Sequence, residues 1–308
     1  MRLLFVMDPP ARVNPRADTT FVIMREAQAR GHEVLHCEAS DLALEGTAAV
    51  ATARVARIEP AGITLGEARR VALGDCSAVL MRKDPPYDID YYFATLLLDR
   101  AGTLVINNPQ GLRDANEKLY AMNFPEFIPP TIVTRDAARL RAYQDELGGE
   151  MIVKPLDGCG GRGVLYCGKG DRNIPSMLEL LTDGGKKWVI GQKYLPQARK
   201  GDKRVLLLDG QPIGAVLRVP REDEVRGNLH VGGKAVKTTL DARELELCAA
   251  LGPRLVKDGL WFVGIDVIGG QLTEVNVTSP TGVQEINALD GVKLEAKIVD
   301  WIEKHAAQ

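Results

Sequence analysis

Short apolar runs alternate with amphipathic stretches through the first third of the chain. "LLFVMD" reads as a buried strand, "TTFVIMREAQARG" as a helix closed by Gly31, and "EVLHCEA" as a second strand. That order is βαβ grammar and predicts a parallel sheet. After a variable region to about residue 74, "SAVLMRKDPPYDIDYYFATLLLDRAG" predicts a strand, a charged loop and a helix, and "TLVIN" a further strand. Arg82, Lys83 and Asp84 fall at the carboxyl end of the first of these strands, where open α/β sheets gather ligand groups. A helix is expected from about Asp114 to Asn123, ended by Pro125.

The pattern then changes. From residue 131 to about 198 the order is strand, helix ("DAARLRAYQDELGG"), strand ("MIVKPL"), glycine loop, strand ("GVLYCG"), helix ("IPSMLELLTDGG") and strand ("KWVIGQKYL"), a small α+β unit. Beyond it, "DKRVLLLDGQPIGAVLRVP" predicts a hairpin turned at Asp209-Gly210, the first of several antiparallel strands. A helix around "DARELELCAALGPRLVKDG" and a terminal helix from about 291 complete the chain. The expected units are residues 1–117, 118–198 and 199–308.

Composition narrows the function classes. The 308 residues are 45% hydrophobic, enough for large cores, and 39 Lys plus Arg stand against 41 Asp plus Glu, mixed along the chain. No basic stripe marks a nucleic-acid partner. Five cysteines (Cys37, Cys76, Cys159, Cys167, Cys248) lie far apart without a C-x-x-C, which argues against a disulfide framework or zinc site and for a reducing cytosol. The start "MRLLFVMDPP" is too short for a signal peptide, and no apolar run reaches the roughly 18 residues of a membrane span, so no membrane role is expected.

The glycines of "VKPLDGCGGRGVLY" satisfy G-x-G-x-x-G, yet the run after Gly163 reads as a strand, not as the helix of a dinucleotide fold. Val164 stands where a P-loop needs lysine. What remains is a glycine turn between antiparallel strands that covers phosphates with backbone N–H groups, with Lys154 on the incoming strand.

A second segment, "FVGIDVIGGQLTEVNVTSPTG", supplies the opposite charge. With one extra residue in its turn, Ile268 faces Leu272, Asp266 faces Glu274, Ile265 faces Val275 and Val263 faces Val277. Asp266, Glu274 and Asn276 then share one face. Hard oxygen ligands on a rigid sheet suit Mg²⁺ with nucleotide phosphates.

These residues carry a resemblance. The segments "VMDP" (6–9), "LMRKDPP" (80–86), "LRDANEKL" (112–119), "KPLDGCGG" (154–161), "GDKRVLLLDG" (201–210), "RGNL" (226–229), "FVGIDVIG" (262–269) and "LTEVNVTSPTG" (272–282) resemble the bacterial glutathione synthetases of the ATP-grasp ligases, nearly end to end. The resemblance implies an ATP-grasp fold of α/β and α+β parts, preceded by a Rossmann-like parallel-sheet domain. It further implies that ATP phosphorylates γ-glutamylcysteine to an acyl phosphate that glycine attacks, with Mg²⁺ (or Mn²⁺) as cofactor, in a cytoplasmic homo-oligomer, dimer or tetramer.

Residue by residue, Lys118 and Lys154 resemble the family's phosphate-binding lysines. Gly158, Gly160 and Gly161 resemble its covering loop, and Gln192, Lys193, Tyr194 and Leu195 its adenine-reading strand, with Lys193 departing from the expected Asn. Asp202, Arg204 and Arg218 match positions around the nucleotide, with Arg218, Lys154 and Arg226 as catalytic candidates. Asp266, Glu274 and Asn276 match the metal ligands. Arg82, Arg226, Gly227, Asn228, Ser279, Thr281 and Gly282 match the substrate pocket. His230 and Cys159 sit in the two glycine-rich loops, as a candidate proton acceptor and a candidate redox-sensitive thiol. Other ATP-grasp carboxylate–amine ligases, a non-catalytic nucleotide-binding regulator and a nicotinamide dehydrogenase remain open on the residues alone. A strand after Gly163 excludes the last.

Overall fold

The computed structural model describes residues 1–221 and 233–306. Arg226, Gly227, Asn228 and His230 therefore lie outside the described residues.

The chain opens with β1 (Arg2–Val6), α1 (Thr19–Ala29) and β2 (Glu33–Cys37). Asp18 caps α1 by accepting the N–H of Phe21 at 2.6 Å, and Gly31 leaves it at φ +82°. The region to residue 74 holds β3 (Leu42–Glu45) and a long hairpin, β4 (Ala48–Glu59) with β5 (Gly62–Ala72). Then come β6 (Ala78–Met81), α2 (Ile89–Leu98), β7 (Leu104–Ile106) and α3 (Pro109–Asp114).

β2, β1, β6 and β7 pair in parallel, as the βαβ pattern predicts. The sheet as a whole is mixed, because β3, β4 and β5 add to its β2 edge antiparallel.

The helix expected from Asp114 to Asn123 does not form. The Asn116 side chain takes the N–H groups of Lys118 and Leu119 at 3.1 and 3.0 Å, the local competition by which Asn breaks a helix. Only a single turn, Tyr120–Asn123, follows.

The next unit is a four-stranded antiparallel sheet, ordered β10-β9-β11-β8. It is built from β8 (Thr131–Thr134), α4 (Ala137–Glu146), β9 (Met151–Pro155), β10 (Leu165–Cys167), α5 (Ile174–Thr182) and β11 (Val189–Lys193). Met151, Val153, Cys167 and Val189 pack against the helices in a core of their own. Ile152, Lys154 and Gln192 alternate onto the opposite face.

The last unit is a five-stranded antiparallel sheet, ordered β14-β13-β12-β15-β16. Its strands are β12 (Asp202–Leu208), β13 (Gln211–Val219), β14 (Lys234–Lys237), β15 (Phe262–Ile268) and β16 (Gln271–Asn276). Asp209 and Gly210 turn β12 into β13 with φ of +52° and +73°. α6 (Ala242–Lys257), with an Asp241–Glu244 capping box, precedes β15, while α7 (Val283–Asp290) and α8 (Leu294–Ala306) close the described chain. One face of this sheet, with Val205, Leu207, Ile265 and Val275, joins a core shared with the first sheet.

In the β15–β16 hairpin, Asp266 faces Glu274 and Ile265 faces Val275, as expected, for a different reason. The turn is a strict two-residue one: Gly269 and Gly270 both take positive φ, and Ile268 faces Gln271 rather than Leu272. The extra residue is a β-bulge at Thr273, whose hydroxyl donates to the Asp266 carbonyl at 3.1 Å. The ladder ends at Gly264–Asn276, so the expected Val263–Val277 pair is not part of it.

Candidate active site

The polar faces of the two antiparallel sheets look at each other across a cleft of about 940 Å³, counting its open mouth. Lys118, Lys154, Gly158, Gly160, Gly161, Gln192, Lys193, Tyr194, Leu195, Asp202, Asp266 and Glu274 line it. Residues far apart in sequence thus converge because β9 and β11 carry one wall and β12, β15 and β16 the other.

The strand after Gly163 is β10, so the glycine loop is a β-turn structure and the dinucleotide reading falls. Gly160 and Gly161 hold φ of +60° and +79°, open to glycine at little cost. Gly158 is small for a different reason: a Cβ there would meet the Pro155 ring at 2.8 Å.

Both lysines are buried and reach across the cleft. Lys118 Nζ pairs with Glu274 Oε1 at 3.1 Å and donates to the Gly158 carbonyl. Lys154 Nζ donates to the Thr273 carbonyl at 3.2 Å, so the bulge provides its anchor. Burial holds the Lys154 ammonium below the usual lysine range, against the pull of Glu274 and with a further push from Lys118.

Asp266 is the hub of the opposite wall. Arg204 binds it through Nε at 2.6 Å and Nη2 at 3.1 Å, and Arg218 Nη2 approaches at 2.9 Å. Arg218 Nη2 also donates to Asp202 Oδ2 at 2.5 Å. Gly264 makes room for this: a Cβ there would meet Arg204 Cδ at 3.0 Å.

Arg218 pairs with both carboxylates, and Asp266 has Arg204 as well. Burial alone would raise Asp266, yet Arg204 and Arg218 together keep it well below the usual carboxylate range. Among the described residues Asp202 pairs with Arg218 alone, and burial pushes it up to about 6. Its Oδ1 is buried without a hydrogen-bond partner among the described residues, as is Arg218 Nε.

The donor set suits a hard divalent cation. Asn276 commits its amide nitrogen to the Gly264 carbonyl at 3.2 Å, so its amide oxygen is the atom that could meet a cation beside Glu274 and Asp266.

Arg82 stands apart from the cleft walls, buried at the end of β6. Nε donates to Thr20 Oγ1 and Nη2 to the Pro280 carbonyl, each at 3.0 Å, while Nη1 is buried without a partner among the described residues. The Pro280 contact brings it to the segment of Ser279, Thr281 and Gly282, and Arg204 Nη1 reaches the Thr281 carbonyl at 3.1 Å from the other side.

Residues 1–113 match the family model "Prokaryotic glutathione synthetase, N-terminal domain", and residues 117–291 match "Prokaryotic glutathione synthetase, ATP-grasp domain". A glutathione synthetase of Synechocystis sp. is 46% identical over 99% of both chains, and one of Shewanella oneidensis is 42% identical over 100% of both. The chain belongs to the prokaryotic glutathione synthetase family.

As a member of the prokaryotic glutathione synthetases it is an ATP-dependent ligase that works with a divalent metal. Its fold is shared with more distant solved structures: a D-cycloserine synthetase (17% identity, TM-score 0.69, covering 98% of this chain and 100% of the other) and a D-alanyl-alanine synthetase A of Vibrio cholerae (12% identity, TM-score 0.65, covering 100% and 98%).

Sequence reasoning missed part of this glutathione synthetase cleft. Ile152 lies two residues before Lys154 and Ile268 two after Asp266, so strand alternation turns both apolar side chains into it from opposite walls. Period-two counting from the charged residues would have found them. Thr273 and Glu117, which anchors the loop before Lys118, carry no such signal.

Proposed function

We propose that the protein joins γ-glutamylcysteine to glycine, with ATP consumed to ADP and phosphate. The observation that carries this reading is the single cleft in which Lys118 and Lys154 meet the Asp266–Glu274 face, with Arg82 and the 279–282 segment beyond it. In this reading residues 118–198 form a lid over the catalytic unit 199–308, and residues 1–117 complete the dipeptide pocket.

The adenine ring lies between Ile152 and Ile268 along the edge Gln192–Leu195. The 158–163 loop, Lys118 and Lys154 hold the phosphates, and Asp266, Glu274 and Asn276 hold Mg²⁺, with Mn²⁺ as the alternative. When bound, the cation neutralises phosphate charge during transfer. Arg82, held against the Pro280 carbonyl, places its positive charge beside the 279–282 segment for a substrate carboxylate. The cysteinyl carboxylate oxygen takes the γ-phosphoryl group. The glycine amine then attacks the acyl carbon, loses a proton, and phosphate leaves with that carboxylate oxygen. Arg218 stabilises charge on the transferring group.

ATP turnover tests this reading. Phosphate release is expected only with γ-glutamylcysteine and glycine together, and release with either omitted, or equal use of alanine, would contradict it. A pH effect follows from Asp202. Near pH 6 its carboxyl is partly protonated, and a cation with nucleotide bound beside it drives that proton off. Calorimetric titration in buffers of different ionisation enthalpy should show proton release near pH 6 that vanishes by about pH 8.

Cytoplasmic residence and a homo-oligomer, dimer or tetramer, belong to the same proposal. No helix among the described residues is long and apolar enough to cross a membrane. The outer face of α2 carries Ile89, Tyr92, Phe93 and Leu96 exposed at helical spacing, with Phe93 at 52%, a row that a second copy would cover. Phe93→Lys should lower the sedimentation coefficient, and an unchanged assembly would remove this face from the proposal.

A further inference from the structure

The segment that replaces the expected helix after Asp114 lies along the free edge of β16, the last strand of its sheet. Its Glu117 carbonyl accepts the N–H of Val275 at 2.8 Å, between Glu274 and Asn276. The Glu117 carboxylate reaches further. Its Oε1 accepts the N–H groups of Val277 at 3.0 Å and Thr278 at 3.2 Å, and the Thr278 hydroxyl at 2.9 Å. Three donors on one oxygen fix the corner where β16 leaves the sheet.

The next residue is Lys118, whose ammonium pairs with Glu274 and holds the Gly158 carbonyl of the glycine loop. Asn116, on the other side, donates to the Leu156 carbonyl at 3.4 Å. Three consecutive residues therefore touch the lid, the carboxylate face and the strand corner behind that face. Placing a second carboxylate near Glu274 is costly, and burial with the Glu274 charge raises the Glu117 pKa.

We infer that Glu117 is a positioning residue for the nucleotide–cation site: it ties the Glu274–Asn276 span and the Lys118 ammonium to one anchor, without touching either ligand. This rests on the reading of the cleft given above. Loss of such an outer hydrogen-bonding partner typically weakens metal affinity by about 10–100-fold.

The test is calorimetric binding of a non-hydrolysable ATP analogue at a series of Mg²⁺ concentrations, with thermal unfolding measured alongside. Glu117→Ala, at a temperature where it is folded, should raise the half-saturating Mg²⁺ concentration about tenfold. Glu117→Gln, which keeps an acceptor oxygen for the same donors, should restore most of the loss. In turnover, the alanine variant should raise KM for ATP more than it lowers kcat. Wild-type Mg²⁺ dependence in Glu117→Ala would overturn the inference, as would a glutamine variant as weak as alanine. If the alanine variant does not fold, Thr278→Val decides: it removes one of the three donors and should weaken Mg²⁺-dependent binding, and no change would overturn the inference. Analogue binding that ignores Mg²⁺ in the wild type would instead contradict the reading of the cleft.

Discussion

Asp266→Asn is expected to lower ligase turnover by about 10²–10³-fold and to destabilise the fold by about 3 kcal/mol. Both effects come from the same geometry. Asp266 is 3% exposed and receives three close contacts from two arginines. Removing its charge leaves buried Arg204 without an ion-pair partner among the described residues and Arg218 with Asp202, and an uncompensated buried charge is what makes such a change severe. The amide also weakens the anionic face offered to the cation. Steady-state turnover with urea unfolding checks the pair of effects. A variant that loses activity at full stability would show that the arginines do not depend on Asp266.

Lys154→Met should lose activity on the same scale, about 10²–10³-fold, with unfolding free energy unchanged or higher. Lys154 is 8% exposed, its one hydrogen bond among the described residues goes to a carbonyl, and burial depresses its pKa. A depressed lysine pKa costs stability fully below the folded value. The cost fades as pH rises from that value toward the ordinary one, because there the unfolded chain binds the proton and the folded chain does not. Wild-type protein should therefore gain stability over this alkaline range relative to Lys154→Met. A variant destabilised by several kcal/mol at neutral pH would mean that Lys154 holds the fold and not a ligand. A stability loss at Asp266 and none at Lys154 separate the two roles within one cleft.

The parallel core of the first sheet was legible because Leu, Val and Ile strands alternate with capped helices. The β4–β5 hairpin was not. Its buried positions include Ala49, Ala51, Ala53 and Ala56, and alanine gives little hydrophobic contrast and favours helix. β5 is mostly exposed and offers no apolar stripe. α7 escaped notice because it is short and starts at Gly282 without a side-chain cap.

The candidate site was read further than the fold around it, since charged residues inside apolar strands stand out. The Asp266–Glu274 pairing came from sorting faces, which a longer turn and a bulge satisfy equally, so the sequence could not choose Thr273. The Asp114–Asn123 stretch misled because its helical spacing hid the Asn116 side chain as a helix breaker, and the donors that Glu117 then meets, Val275 in β16 and Val277 and Thr278 just beyond it, are distant in sequence.

The central claim is that this cleft makes an acyl phosphate from a carboxylate and ATP. The direct measurement places a heavy oxygen isotope in the cysteinyl carboxylate of γ-glutamylcysteine and follows it by mass spectrometry during turnover with ATP and glycine. Transfer of a single heavy oxygen into the released phosphate is the predicted result, because the acyl–oxygen bond breaks when the amine attacks. Unlabelled phosphate formed alongside glutathione would contradict it.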